Sequence, residues 1–265
     1  MHGYRDYVAA RCCGIALITL LLARTAGAYP LAPGAVTPTA AAPASQPPAT
    51  TALGAHLLLT QPNGLGVSPA VSTAVATQPS GSALLLLVGG YASNDAAPTD
   101  SYANRWQRIG KSVVYRGYGG SFDVTAYAAM AARGGARQQI SVMKSAQPNG
   151  EVSVPFVEIR HAARLQDLAQ NYPSPGLVVT SGSVTTTAPA TLLAFWWGDA
   201  GVKRMTATPN NGFAVIDRFL KLPDSSGVQC AVAFREVSAA GTYNVSWTSA
   251  PVQGAILWLF AFQSG

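Results

Sequence analysis

The sequence predicts an all-β protein: two homologous β-sandwich, jelly-roll-like modules that follow a signal peptide and a disordered Pro/Ala-rich linker. Three observations predict it. First, blocks of the first half recur in order in the second half. Thr77–Gly90 (TQPSGSALLLLVGG) lines up with Thr185–Gly198 (TTTAPATLLAFWWG), Tyr127–Val142 with Cys230–Trp247, and Gly150–Ile159 with Gly254–Gln263. Two copies at a period of about 105 residues read as a duplicated module and not as a short-repeat solenoid. Second, charged residues are only 11% of the chain, against roughly 25% in an ordinary globular domain. A helical bundle would carry Glu and Lys on its wet faces. Third, short apolar runs alternate with turn signals rich in Gly, Pro, Asn and Ser, as in sandwiches.

From the N-terminus, residues 1–28 read as a signal peptide. Arg5 and Arg11 supply a positive start, and Gly14–Ala23 (GIALITLLLA) an apolar run too short to span a bilayer comfortably. Ala26-Gly27-Ala28 is a small-residue cleavage site, so the mature chain is expected to begin near Tyr29. Cys12 and Cys13 precede the apolar run and directly follow Arg11, which argues against a lipoprotein. Loss of Arg5, Arg11, Arg24 and Asp6 takes the net charge from +6 to +4 and leaves Cys230 as the last cysteine. One thiol in an exported chain makes no internal disulfide. Residues 29–52 lack charge and periodicity and read as an extended linker.

Module one spans residues 53–163. Its predicted strands are His56–Thr60, Val71–Thr77, Ala83–Tyr91, Arg105–Ile109, Ser112–Tyr115, Phe122–Ala132, Gln138–Met143 and Val152–Ile159. A connector at 164–175 carries the one predicted helix, Ala162–Gln170 (AARLQDLAQ), ended by Pro173 and Pro175. Module two spans 176–265, with strands predicted at Val178–Thr187, Thr191–Trp197, Ala214–Phe219, Val228–Glu236, Gly241–Thr248 and Ala255–Phe262. The last (AILWLFAF) is apolar on both faces, as a central or interface strand is.

Motifs for chemistry are sparse. His56 and His161 belong to no HxH or HExxH pattern, so no metal site is expected. GxSxG, GxxxxGK[ST] and GxGxxG do not occur, which removes the usual anchors of serine hydrolases and nucleotide binders. No cofactor and no catalytic residue are predicted. Asp95 and Asp100 lie in a turn-rich loop (SNDAAPTDS), and Asp199 in a comparable one. Such carboxylates cap turns, and their spacing fits no defined calcium loop. Cys230 sits in an apolar segment and reads as a buried hydrophobe.

The aromatic residues are more suggestive. Adjacent Trp196 and Trp197 in a strand must face opposite ways. One fills the sandwich, and the other needs the opposite module, another chain or a ligand. Tyr102, Trp106, Tyr115 and Tyr118 lie among Arg105, Arg108, Lys111 and Arg116. Sugars stack on such rings while cationic and amide groups bind their hydroxyls. The candidate ligand-binding residues are therefore Tyr102, Arg105, Trp106, Tyr118 and Trp197. Residues 95–164 hold nine Lys and Arg against five Asp and Glu, a mild positive bias that suits anionic polysaccharide. The basic residues are scattered, so no nucleic-acid partner is expected. No membrane association is expected after signal cleavage, and a homo-oligomer is compatible with the apolar strands.

Ser181–Gly198, the turn Ser238-Ala239-Ala240-Gly241-Thr242-Tyr243 and the Trp247 strand together resemble exported or phage-associated bacterial tandem β-sandwich proteins. The resemblance implies a fold and an extracellular or periplasmic setting and brings no catalytic residues. The expected function is non-enzymatic: binding of carbohydrate or a cell surface, or a structural role. A virion or appendage component is a second class. A polysaccharide hydrolase or lyase is a third, for which Asp95, Asp100, Tyr102 and His161 are the available groups.

Overall fold

The computed structural model describes residues 52–91, 96–117, 122–144, 147–199, 204–223 and 228–264. The signal peptide and nearly all of the linker therefore lie outside the described residues. The first half forms β1 (Leu53–Gln61), β2 (Ala70–Val71), β3 (Ser80–Gly90), β4 (Thr99–Asp100), β5 (Gln107–Val114), β6 (Asp123–Arg133), β7 (Ile140–Val142) and β8 (Val152–Ile159). The second forms β9 (Ala162–Asn171), β10 (Gly176–Thr180), β11 (Val184–Thr186), β12 (Ala190–Gly198), β13 (Thr206–Pro209), β14 (Ala214–Phe219), β15 (Cys230–Val237), β16 (Gly241–Tyr243), β17 (Ser246–Gln253) and β18 (Ala255–Ser264). The described residues are all-β, and every strand pair is antiparallel.

Each half builds one large and one small sheet. The large sheets have the orders β1-β8-β3-β6-β5 and β9-β18-β12-β15-β14. The small ones are β2-β7-β4 and β10-β17-β13, with β11-β16 as an extra ribbon in the second half. With β11 and β16 set aside, the two halves have the same strand order position for position.

The large sheets pack face to face, and each small sheet covers the outer face of its own large sheet. Strand β3 shows how the sequence encodes this. Leu85 and Leu87 enter the central core shared by the two large sheets, while Leu84, Leu86 and Val88 enter the outer core of the first half. A strand buried on both faces reads as a continuous apolar run, hence LLLLV. Strand β12 repeats the arrangement: Phe195 and Trp197 face the central core, Ala194 and Trp196 the outer one. Both faces of β18 are buried in the same way, Trp258 and Phe260 inward and Leu257 and Leu259 outward.

The central core is aromatic. Trp197 stacks on Phe195 with centroids 6.0 Å apart, Phe195 meets Phe260 edge-on at 5.7 Å, and Trp258 stacks on Phe260 at 5.6 Å. Two glycines of the first half make room for two tryptophans of the second. A Cβ at Gly89 would lie 2.5 Å from Trp197 Nε1, and one at Gly110 would lie 2.7 Å from Trp258 Cζ3. Gly110 has φ +66, which also favours glycine.

The predicted helix over Ala162–Gln170 is corrected: the segment is strand β9, the edge of the second large sheet. Leu165 and Leu168 are three apart, a helical spacing. Pairing with β18 runs Phe262↔Leu165, then Ala261↔Asp167 and Phe260↔Leu168, so Gln166 is an extra residue in a bulge. The bulge returns both leucines to one face, and both pack on the central core. The predicted strands Arg105–Ile109 and Ser112–Tyr115 are one bulged strand, β5. Val178–Thr187 is two strands in different sheets, β10 and β11.

Candidate functional site

Of the predicted ligand-binding residues, Tyr118 lies outside the described residues. The other four do not form one platform. Trp197 is fully buried in the central core. Its partner is the opposite half of the chain, and its ring has no free face for a sugar. Trp106 is 7% exposed and belongs to the outer core of the first half. Its Nε1 donates to Asp100 Oδ2 at 2.7 Å. Tyr102 is half-buried, and its hydroxyl accepts from Arg137 N at 3.4 Å. Arg105 is exposed.

Asp100 behaves as a turn residue. Its Oδ1 accepts from Tyr102 N at 2.8 Å and from Asn104 N at 3.4 Å, while Oδ2 holds Trp106. Asp199 accepts from the Tyr172 hydroxyl at 3.1 Å and lies 3.9 Å from Arg116. The Arg116 guanidinium stacks on the Tyr172 ring at 4.0 Å. Asp95 is outside the described residues. His161 meets Gln78 Nε2 at 3.0 Å. Cys230 is fully buried, and burial pushes its thiol well above the usual range. Among the described residues, no group of three His, Cys, Asp or Glu is placed to hold a metal ion.

The partners of four polar groups escaped the sequence reading. His56 Nδ1 lies 2.9 Å from Asp217 Oδ2, joining β1 to β14 across the two halves. That hydrogen bond raises the His56 pKa, partial burial opposes it, and the Asp217 charge adds to the rise. Glu158 is fully buried and accepts from Ala55 N, Gln78 N and Ser82 Oγ at 3.0, 2.7 and 2.6 Å. Lys144 is also buried. Its Nζ donates to Gln61 Oε1 at 2.7 Å and Gly150 O at 2.8 Å, and burial lowers its pKa. Burial raises the Asp123 carboxyl to about 6, against hydrogen bonds from Ser112 and Thr125 and the charge of Arg108. Long sequence separations, such as 161 residues between His56 and Asp217, hide these partnerships in the sequence.

A concave surface with chemistry lies in the second half, between β13 and β14. These edge strands belong to different sheets and splay apart: β13 pairs with β17, and β14 with β15. At one end they are tied by the Arg204↔Lys221 bridge and by Met205 N donating to Leu220 O at 3.3 Å. At the other they meet in the turn where Phe213 N donates to Asn210 O at 3.1 Å. Between lies a cleft of about 480 Å³, lined by Met205–Thr208 and Arg218–Lys221. Met205 and Ala207 are buried on its floor and Phe219 is half-buried, while Thr206, Thr208, Arg218 and Lys221 are exposed. Consecutive lining residues bring backbone N–H and C=O groups to the cleft as well as side chains. The cleft offers hydroxyls, two cations and an apolar floor.

The corresponding interval of the first half, between β4 and β5, is closed. Trp106 immediately precedes β5 and is hydrogen-bonded to Asp100 of β4. Phe213 immediately precedes β14, equally buried at 7% exposure, but it packs into the outer core of the second half.

A shallower groove of about 440 Å³ runs along the seam between the halves, with Lys111, Val113, Gln170, Asn171 and Tyr172 in its lining. Gln170 bridges it by accepting from Lys111 N at 2.9 Å and donating to Lys111 O at 2.6 Å. No protein-family model, curated protein or solved structure matches this chain.

Proposed function

We propose that this chain is an exported, non-enzymatic binding protein of two duplicated jelly-roll-like modules, with a carbohydrate or cell-surface polysaccharide as its ligand. The observation that carries the reading is the β13–β14 cleft. It combines hydroxyl and backbone hydrogen-bonding groups with cationic side chains and a partly apolar floor, on strands fixed by two packed sheets. Saccharides present hydroxyls on one edge and C–H surface on the other, and such a cleft complements both. The duplication is supported by identical strand orders, 1-8-3-6-5 over 2-7-4, in the two halves. Export and the resemblance to tandem β-sandwich proteins rest on the N-terminal sequence and the matched blocks.

A screen of the full chain against arrayed glycans and whole bacterial polysaccharides tests this function. Saturable binding supports it. No binding anywhere on the panel removes carbohydrate as the ligand.

A specific observation favours a second reading, assembly into a virion or appendage. Leu177, Val178 and Val252 are 59%, 53% and 59% exposed on the small sheet of the second half. Leu65, Val71 and Met143 are 74%, 47% and 50% exposed around the corresponding sheet of the first. Apolar side chains on both small sheets suit contacts between copies. Light scattering distinguishes the readings: a stable trimer supports assembly and a monomer supports the binding protein.

A further inference from the structure

From the cleft's charge we infer that the β13–β14 site takes an acidic saccharide, one bearing carboxylate or sulfate groups, and discriminates against the neutral equivalent. This rests on the carbohydrate reading above and adds the ligand's chemical class and its place on the molecule.

The argument begins with the cations. Arg218 and Lys221 line the cleft, and Arg204 closes its end through the bridge to Lys221. All three are exposed, and among the described residues none forms an ion pair. Among the described residues no carboxylate lines the cleft. The nearest acid on the same strand, Asp217, is committed to His56 on the other half. Three cations with no ion-pair partner among the described residues stand around one concavity, which raises its potential and favours an anion entering it. A guanidinium presents a planar fork that matches a carboxylate or sulfate edge, and a lysine beside it adds a point charge.

The remaining lining selects among anions. Thr206 and Thr208 both donate and accept. The outer edges of β13 and β14 carry backbone groups that no third strand pairs among the described residues. A bare inorganic anion would use the cations and leave these groups idle. A uronate or sulfated sugar uses both, with its C–H face over half-buried Phe219. The cleft is bounded at both ends, so it suits a few sugar units seated from the open side. The first half lacks the site because Trp106 and Asp100 close the corresponding interval.

Calorimetric titration of the full chain with polygalacturonate, and with the same polymer fully methyl-esterified, tests the inference. Dextran sulfate against dextran supplies the same contrast for sulfate esters. An Arg218→Ala/Lys221→Ala variant is titrated beside the wild type, with its melting temperature measured as a check on folding. Both side chains are exposed, so the fold should be unaffected. The expected result is binding to an acidic polymer at least tenfold tighter than to its neutral counterpart. That binding should weaken as salt rises and fall tenfold or more in the variant. Equal affinity for acidic and neutral polymers, or acidic binding that survives the double substitution, overturns the inference while leaving carbohydrate binding in place. No affinity for any polymer here or on the glycan panel overturns both. Binding of an extended peptide in the cleft, lost in the variant while no saccharide competes, overturns it in favour of strand addition.

Discussion

The indole of Trp197 lies against Gly89, so closely that a Cβ at position 89 would fall 2.5 Å from Nε1. Trp197 belongs to β12 and Gly89 to β3, the middle strands of the two large sheets. The contact therefore joins the middle strands of the two sheets near their C-terminal ends. Gly89→Ala should cost about 1–3 kcal/mol through overpacking. Trp197→Ala, which leaves a large cavity, should cost about 3–5 kcal/mol. Urea unfolding monitored by circular dichroism measures both. If Gly89→Ala is neutral, the packing of the two sheets described here is wrong.

Strand β3 explains why so much of the fold could be read in the sequence. Its run of five apolar residues marks a strand buried on both faces, and AILWLFAF in β18 marks another. Both are interior strands of their sheets, and the sequence predicts a central or interface position for β18. Over β9 the helical spacing of Leu165 and Leu168 predicts a helix, and the bulge at Gln166 that places them on one face of a strand leaves no sequence signature. The cleft was not legible for a different reason. Strand β13 (TATP) is a four-residue edge strand with no apolar run, and the residues that form the cleft become neighbours only when β13 and β14 join different sheets. Two of the predicted ligand-binding residues are buried, because tryptophan marks cores as readily as ligand sites. Trp106 and Trp197 are packing residues.

Asp123 makes stability depend on pH. Its carboxyl titrates at about 6 when folded, against an ordinary value of 3.8. The folded state therefore holds a proton that the unfolded state has released across that window, so this group's contribution falls as pH rises through it. The gap corresponds to at most about 3 kcal/mol. Asp123→Asn should gain on the wild type between about pH 4 and pH 6 and hold that advantage above. Denaturation midpoints measured across this range check it, and a pH-independent difference between the two proteins would contradict it.

The His56–Asp217 pair acts in a higher window with the same sign. A histidine whose folded pKa is raised adds stability that is complete below about pH 6.5 and lost as pH rises through the folded value. Because the pair joins β1 to β14, its loss should loosen the seam between the halves. The wild type should lose melting temperature as pH rises above about 6.5, and His56→Ala should remove that decline. Hydrogen exchange should quicken at the β1 and β14 amides. An unchanged pH profile would show that the pair is energetically silent.

Glu158 ties β1 and the entry to β3 onto β8 by accepting three hydrogen bonds in a fully buried position. Glu158→Ala leaves Ala55 N, Gln78 N and Ser82 Oγ without that acceptor. It should cost about 3 kcal/mol, and Glu158→Gln, which keeps one acceptor, should cost less. Chemical denaturation of both variants gives the comparison. Equal losses would mean that volume and not hydrogen bonding sets the cost.

The most direct test of the central claim is to record amide shifts of the isotope-labelled chain during titration with short galacturonate oligomers. The account predicts saturable shifts at Thr206–Thr208 and Arg218–Lys221, with the β4–β5 interval unmoved. Shifts confined to other surfaces, or none at saturating oligomer, would contradict it.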